Sequence, residues 1–224
     1  DRAMVGAMLR AQGGIDVIVP RGGKSLVERV QAEAKIPVFA HLEGICHIYV
    51  HADADPQLAI SVVVNAKMRR TGICGAAETL LIDKAVVHTI WPDIAAALRD
   101  AGCQIRGDAA AKAVCPWIDA ASSDDFGHEF LDAVIAVKVV DDVDAAIAHI
   151  RQHGSDHTES ILSANNEVAE YFVAQIDSSI VMINTSTQFA DGGEFGMGAE
   201  IGIATGRIHA RGPVSIEQLT CFKY

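Results

Sequence analysis

No apolar run in the 224 residues approaches the roughly 18 that a membrane-crossing helix needs. The first ten residues, DRAMVGAMLR, lack the basic start and apolar core of a secretory leader. They read as the interior of a helix, with no initiator Met and no cap, which is expected of a chain that begins inside a longer protein. Basic residues are also scarce: 18 Lys and Arg face 29 Asp and Glu, for a formal charge of −11. Nucleic acid and anionic membrane surfaces require a net basic face, so neither is the main partner. A local basic pocket for a small anion is still allowed. The chain has no CxxC pair, and its five cysteines (Cys46, Cys74, Cys103, Cys115 and Cys221) are odd in number. That argues against a disulfide framework and for thiols in a reducing cytoplasm. Internal repeats and low-complexity linkers are missing as well. With 50% hydrophobic and 21% charged residues the chain folds rather than staying disordered. Its length allows one large domain or two small ones.

What is present alternates between two periods. Ile15–Pro20 reads as a short strand, followed by the turn Arg21-Gly22-Gly23 and a helix over 26–34. Pro37–Phe39 and Ile45–Val50 read as extended. Asp55 followed by Pro56 marks a helix start, an N-cap acid with proline at the first helical position, and that helix runs to about Met68. Strands are expected at 79–82, 133–140, 160–162 and 179–184. Helices are expected at 92–101 (closed by Gly102), 142–150 (stopped by Gly154) and 165–174. The last forty residues look Gly-rich and irregular. Strands alternating with helices of about ten residues predict an α/β fold with a largely parallel sheet.

The most chemically suggestive residue is Cys74, in NAKMRRTGICGAAETLLID, between a helix and a buried strand. Gly72 and Gly75 flank it and permit close approach of other groups. Lys67, Arg69 and Arg70 could favour its thiolate, the reactive form. On chemistry alone a small buried hydrophobe in a turn is an equal reading.

The same segment resembles the active-site segment of the gamma-glutamyl phosphate reductase family, within the aldehyde dehydrogenase superfamily. Ile15–Pro20 with Arg21-Gly22-Gly23 resembles a further segment of that family, as do HLEGICHIYV (41–50) followed by Asp53-Ala54-Asp55, EFLD (129–132) before AVIAVKVV, FGMGAEIGI (195–203) and HARGP (209–213). The resemblance runs in order along the chain and covers roughly the C-terminal half of the family's protein. It implies an aldehyde dehydrogenase-like fold with the nucleotide-binding domain mostly absent. Residues 1–40 would be the tail of that domain and 41–190 the catalytic domain. Residues 191–224 would return to the cofactor domain and the oligomer contacts. Position 75 is Gly where many relatives have Asn, so a side-chain donor is lost there.

The implied reaction is NADPH-dependent reduction of L-glutamyl 5-phosphate to the 5-semialdehyde in proline biosynthesis, through a thioester on Cys74. The implied cofactor contacts are Gly22 and Gly23 at a helix start and Glu129 at the nicotinamide ribose. Arg211 and His209 are candidates for the substrate's anionic groups, with packing as the blander role. His41 stands where hydrolytic relatives carry a Glu base; it either delivers a proton or is a partly buried histidine. Homo-oligomer formation and contact with glutamate 5-kinase are also implied, with no metal. Two other readings remain open: a catalytic and oligomerisation module that does not turn over alone, and a hydrolytic aldehyde dehydrogenase. His149, His153 and His157 are spaced like metal ligands, but Gly154 breaks the helix between them, which argues against zinc. His47 and His51 should bracket the end of a strand and face different environments, Asp53, Asp55, Asp141, Asp142 and Asp144 read as helix-start acids, and Trp91 and Trp117 read as packing anchors.

Overall fold

The computed structural model describes residues 2–224. The chain divides into two compact units, one of Gly44–Ala190 and one of Asp1–Glu43 with Asp191–Tyr224.

The Gly44–Ala190 unit is built on a seven-stranded sheet in the order β4-β3-β5-β2-β1-β6-β7. Its strands are β1 Cys46–Val50, β2 Ala77–Asp83, β3 Gln104–Gly107, β4 Asp119–Ala120, β5 Val134–Val140, β6 Thr158–Leu162 and β7 Ile180–Ile183. Every pairing is parallel. Parallel strands need crossovers, and helices supply them. These are α3 Pro56–Met68, α4 Trp91–Asp100, α5 Ala109–Val114, α6 Val143–His153 and α7 Asn166–Gln175. Both faces are covered, which is why β1 and β2 are buried throughout instead of alternating. Ile48, Val50, Leu80 and Ile82 pack with Val63 of α3 and Ile94 and Leu98 of α4. Tyr49 and Leu81 point the other way, to Ile147 and Ile150 of α6 and Phe172 of α7.

Local chemistry sets the helix starts. The Asp55 carboxylate accepts from Leu58 N–H at 2.8 Å, with Pro56 in the first turn. Asp142 caps α6 by accepting from Ala145 N–H, and Asp144 lies in its first turn. The other two acids read as helix starters do different work: Asp141 pairs with Lys84 at 2.9 Å, and Asp53 binds His51 and Ser163. Trp91 is fully buried, its indole N–H donating to Ala111 O at 3.1 Å. Trp117 is no anchor. It is 47% exposed, with the Arg99 guanidinium 4.8 Å above its ring.

The other unit contains α1 Arg2–Met8 and α2 Lys24–Glu33, and a small antiparallel pair, β8 Gly202–Ala204 with β9 Gly212–Val214. The strand expected over 15–20 is not formed. Its backbone makes a single parallel bridge, Ile18 to Val38, because only that pair of residues meets a partner in register. The irregular end expected of the last forty residues includes the β8–β9 pair. No helix among the described residues is long and apolar enough to cross a membrane.

Candidate active site

Cys74 sits half-buried in the turn between α3 and β2, three residues before β2 begins. It therefore lies at the amino edge of the sheet. Cys46 opens β1 at the same edge, His157 immediately precedes β6, and Glu129 precedes β5. Open parallel sheets usually gather ligands at the carboxyl ends of their strands. At that opposite edge His51 Nδ1 lies 2.6 Å from Asp53 Oδ1 and 3.2 Å from Ser163 Oγ, and Ser163 donates to Asp53 at 2.8 Å. A serine–histidine–carboxylate relay uses the two ring nitrogens separately. Here one nitrogen meets both partners, so the three close a hydrogen-bonded loop and activate no nucleophile.

Gly44 is what lets the chain pack against the Cys74 turn. A Cβ at position 44 would collide with Cys74 O and lie 2.6 Å from its Cα and Cβ. The Gly44 N–H donates to Glu129 Oε1 at 2.7 Å. One glycine thus joins the segment carrying Glu129 to the turn carrying Cys74. Position 75, the departure from the family pattern, is tight as well: a Cβ there would approach Thr187 O to 3.2 Å. Within the turn, Ala76 N–H is occupied by Ile73 O at 2.9 Å, so it is not available to an incoming oxyanion.

The turn is clamped by a buried ion pair. Lys67 Nζ, in the last turn of α3, lies 2.6 Å from Glu78 Oε2 in β2, and neither side chain is solvent-accessible. Lys67 was expected to act as a cation toward Cys74; its charge is instead directed at Glu78. The second oxygen of Glu78 accepts Leu131 N–H at 3.2 Å, and Leu131 takes a left-handed φ of 52°. The pair therefore ties together the two ends of the Cys74 turn and the segment after Glu129. Burial pushes the Glu78 carboxyl up to about 7, against the opposing pull of Lys67.

A second polar cluster lies close by. His47 Nδ1 is 3.0 Å from Glu159 Oε2, both inaccessible, and burial raises the Glu159 carboxyl despite His47. His149 is buried, accepts from Lys138 Nζ at 3.3 Å, and packs its ring against His47, Phe126 and His153. Burial first, then the charges of His47, Lys138 and His153, depress the His149 pKa to about 2. α6 ends at His153 with Gly154 as its C-cap, so His157 leaves the helical spacing of the other two.

A histidine whose folded pKa is depressed contributes stability above its unfolded value of about 6.5, and that stability is lost as pH falls. Glu78, whose folded pKa is raised, works the other way: its contribution is present below about 4.3 and lost as pH rises toward 7. His149→Leu should shrink the loss of unfolding free energy between pH 6.5 and 4 by about 3 kcal/mol. What remains is the balance of Glu78 and Glu159, whose raised carboxyls favour low pH, against His153, whose imidazole burial also depresses. Urea titrations across that range measure it, and parallel profiles for the two proteins would refute the assignment.

The remaining sequence candidates lie in the unit of Asp1–Glu43 and Asp191–Tyr224. Gly23 is the N-cap of the ten-residue α2, with open space where a side chain would stand. At Gly22 a side chain would press on Leu26, 2.8 Å from its Cδ2. His41 Nδ1 lies 2.7 Å from Ile203 O, and Arg211 Nε donates to Thr205 O at 3.2 Å. Both therefore hang on β8 and the residue after it, while His209 is exposed. The structure thus links Cys74 and Glu129 through Gly44 in one unit, and attaches His41 to β8 and Arg211 to the residue after it in the other. Sequence reasoning missed the Lys67–Glu78 pair and the packing of Cys46 against Cys74. The only signal for the pair was a lysine and a glutamate flanking the cysteine at −7 and +4.

No family model matches the chain. A curated gamma-glutamyl phosphate reductase from Rhodospirillum rubrum is 60% identical over 224 residues, all of this chain and 52% of that protein. The crystal structure of gamma-glutamyl phosphate reductase from Thermotoga maritima superposes with a TM-score of 0.97 at 43% identity, over all of this chain and 54% of the other. An acetylating aldehyde dehydrogenase from Geobacillus thermoglucosidasius shares the fold, at TM-score 0.74 and 16% identity, over 98% of this chain and 57% of its own. The chain therefore spans about half the length of the proteins it matches.

Proposed function

Because this chain is a relative of the gamma-glutamyl phosphate reductases along its whole length, we propose that it is the catalytic half of an enzyme that reduces L-glutamyl 5-phosphate to L-glutamate 5-semialdehyde and phosphate in proline biosynthesis. The observation that carries this reading is a half-buried thiol, Cys74, in a turn that Gly44 fits closely and a buried ion pair clamps.

Cys74 attacks the acyl carbon as thiolate, and phosphate leaves with the electron pair of the broken C–O bond. The thioester then accepts hydride, and the resulting thiohemiacetal releases the aldehyde and restores the thiol. Negative charge grows on the carbonyl oxygen in both additions. Backbone N–H groups of the turn other than Ala76 are the donors for it, each worth roughly 3 kcal/mol. NADPH, when bound, supplies the hydride. Gly22 and Gly23 suit a cofactor group approaching the start of α2, where Gly23 has no side chain in the way. The Glu129 carboxylate suits the ribose hydroxyls, which donate to acceptors of its kind. Arg211 and His209 hold the substrate's anionic groups. His41 replaces the water-activating base of hydrolytic relatives, so the thioester persists until hydride arrives. A cytoplasmic setting, self-association through a strand such as β7 at the sheet edge, and contact with glutamate 5-kinase belong to the same proposal.

The test is a phosphate-dependence assay. The longer protein should reduce NADP with glutamate 5-semialdehyde only when phosphate is supplied, and the 224-residue chain alone should not turn over. Free carboxylic acid formed without phosphate would establish the hydrolytic reading instead, and robust turnover by the 224-residue chain would refute its dependence on further residues.

A further inference from the structure

Cys46 packs directly against the Cys74 turn and has no part in the reaction proposed above. It is the first residue of β1 and is completely buried. Its Sγ donates to the carbonyl oxygen of Cys74 at 3.1 Å. The β1–β2 register shifts between Cys46 and His47, which places Cys46 opposite Ala77, three residues from Cys74. The missing side chain at Gly44 lets this stretch of chain press against the turn. Both sulfurs also converge on one imidazole. His157 Nδ1 is 3.6 Å from Cys46 Sγ, and a His157 ring nitrogen lies within 4.8 Å of Cys74 Sγ. No disulfide joins the cysteines.

We infer that Cys46 is a resolving cysteine for Cys74, and that the two form a reversible disulfide under peroxide stress. In the first step the Cys74 thiolate attacks hydrogen peroxide. An S–O bond forms, the O–O bond breaks, hydroxide leaves, and the sulfur is oxidised by two electrons to a sulfenic acid. In the second, the Cys46 sulfur attacks the sulfenic sulfur. An S–S bond forms and the S–O bond breaks. The Cys46 proton passes through His157 to the departing hydroxide, which leaves as water. A dithiol reductant restores both thiols by exchange. Burial pushes the Cys46 thiol well up, so Cys46 needs an adjacent proton acceptor, and His157 is placed to be one. The gain is protection: a sulfenic acid captured in this way does not proceed to the irreversible sulfinic and sulfonic acids.

The experiment uses the 224-residue chain carrying Cys221→Ser, which removes the exposed thiol. It is treated with hydrogen peroxide and followed by intact mass and peptide mapping. The expected product has lost two hydrogen atoms and joins peptide 36–67 to peptide 71–84. Dithiothreitol should restore the starting mass. In Cys46→Ala, Cys74 should gain two or three oxygens irreversibly, at least about tenfold faster than in the parent. His157→Gln should close the disulfide more slowly and leave a sulfenic acid that dimedone traps. Overoxidation of Cys74 in the parent as fast as in Cys46→Ala would overturn the inference, and so would a disulfide from Cys74 to any other cysteine. Should Cys46→Ala fail to fold, the peptide map of the parent decides alone.

Discussion

Cys74→Ala in the longer protein is expected to reduce turnover on the order of 10⁴-fold or more, with stability within about 1 kcal/mol of the parent. On the proposed mechanism no thioester forms without the sulfur, and the substrate loses its covalent route. Stability changes little because Cys74 is only half-buried and its carbonyl, which holds Cys46, is backbone and stays in place. Steady-state rates, acyl-enzyme trapping and a urea titration together test it. Activity within tenfold of the parent would remove Cys74 as nucleophile.

Lys67→Met is expected to cost about 3–5 kcal/mol, which is the penalty for leaving Glu78 buried without its counter-charge. Burial already holds the Glu78 carboxyl at about 7 with the lysine present, so part of this penalty is met as the cost of taking up a proton, together with loss of the Lys67 hydrogen bond while Leu131 N–H is still held. Lys67→Met combined with Glu78→Leu should recover most of the loss, since a buried ion pair is rarely worth more than well-packed apolar side chains. The exposed Lys24–Glu43 pair, at 2.8 Å, is the control. Removing it should cost under about 1 kcal/mol, because water screens its charges. A Lys67→Met loss below 1 kcal/mol would show that the clamp carries no strain of this kind.

Legibility in the sequence followed the range of the interaction. Asp55 with Pro56, and Asp142 before an Ala-rich run, announced helices because a cap and its helix lie within three residues of each other. The fully apolar central strands were equally plain. β3 and β4 were missed because they are short, and β4 has both residues exposed, so no apolar period marks them. The run 15–20 has the composition of a strand, but a strand also needs a partner, and only Ile18 meets one. Cys74 drew notice through its glycines, and its role came from resemblance. Neither source could show that Lys67 turns toward Glu78, because the pair forms only when the end of α3 and the start of β2 are folded side by side.

The unit holding His41 and Arg211 is assembled from the two ends of the chain, with the whole of the seven-stranded unit threaded between them. On a ribosome adding about 5–20 residues per second, its first 43 residues wait on the order of ten seconds for β8 and β9 to be made. During that delay Phe39, which packs against Ala204, Ala210 and Val214, and Ala40, whose carbonyl accepts from Thr205 N–H, are without those partners. A translational pause or a bound chaperone at this stage would therefore change the yield of native protein without touching a single residue of the sheet.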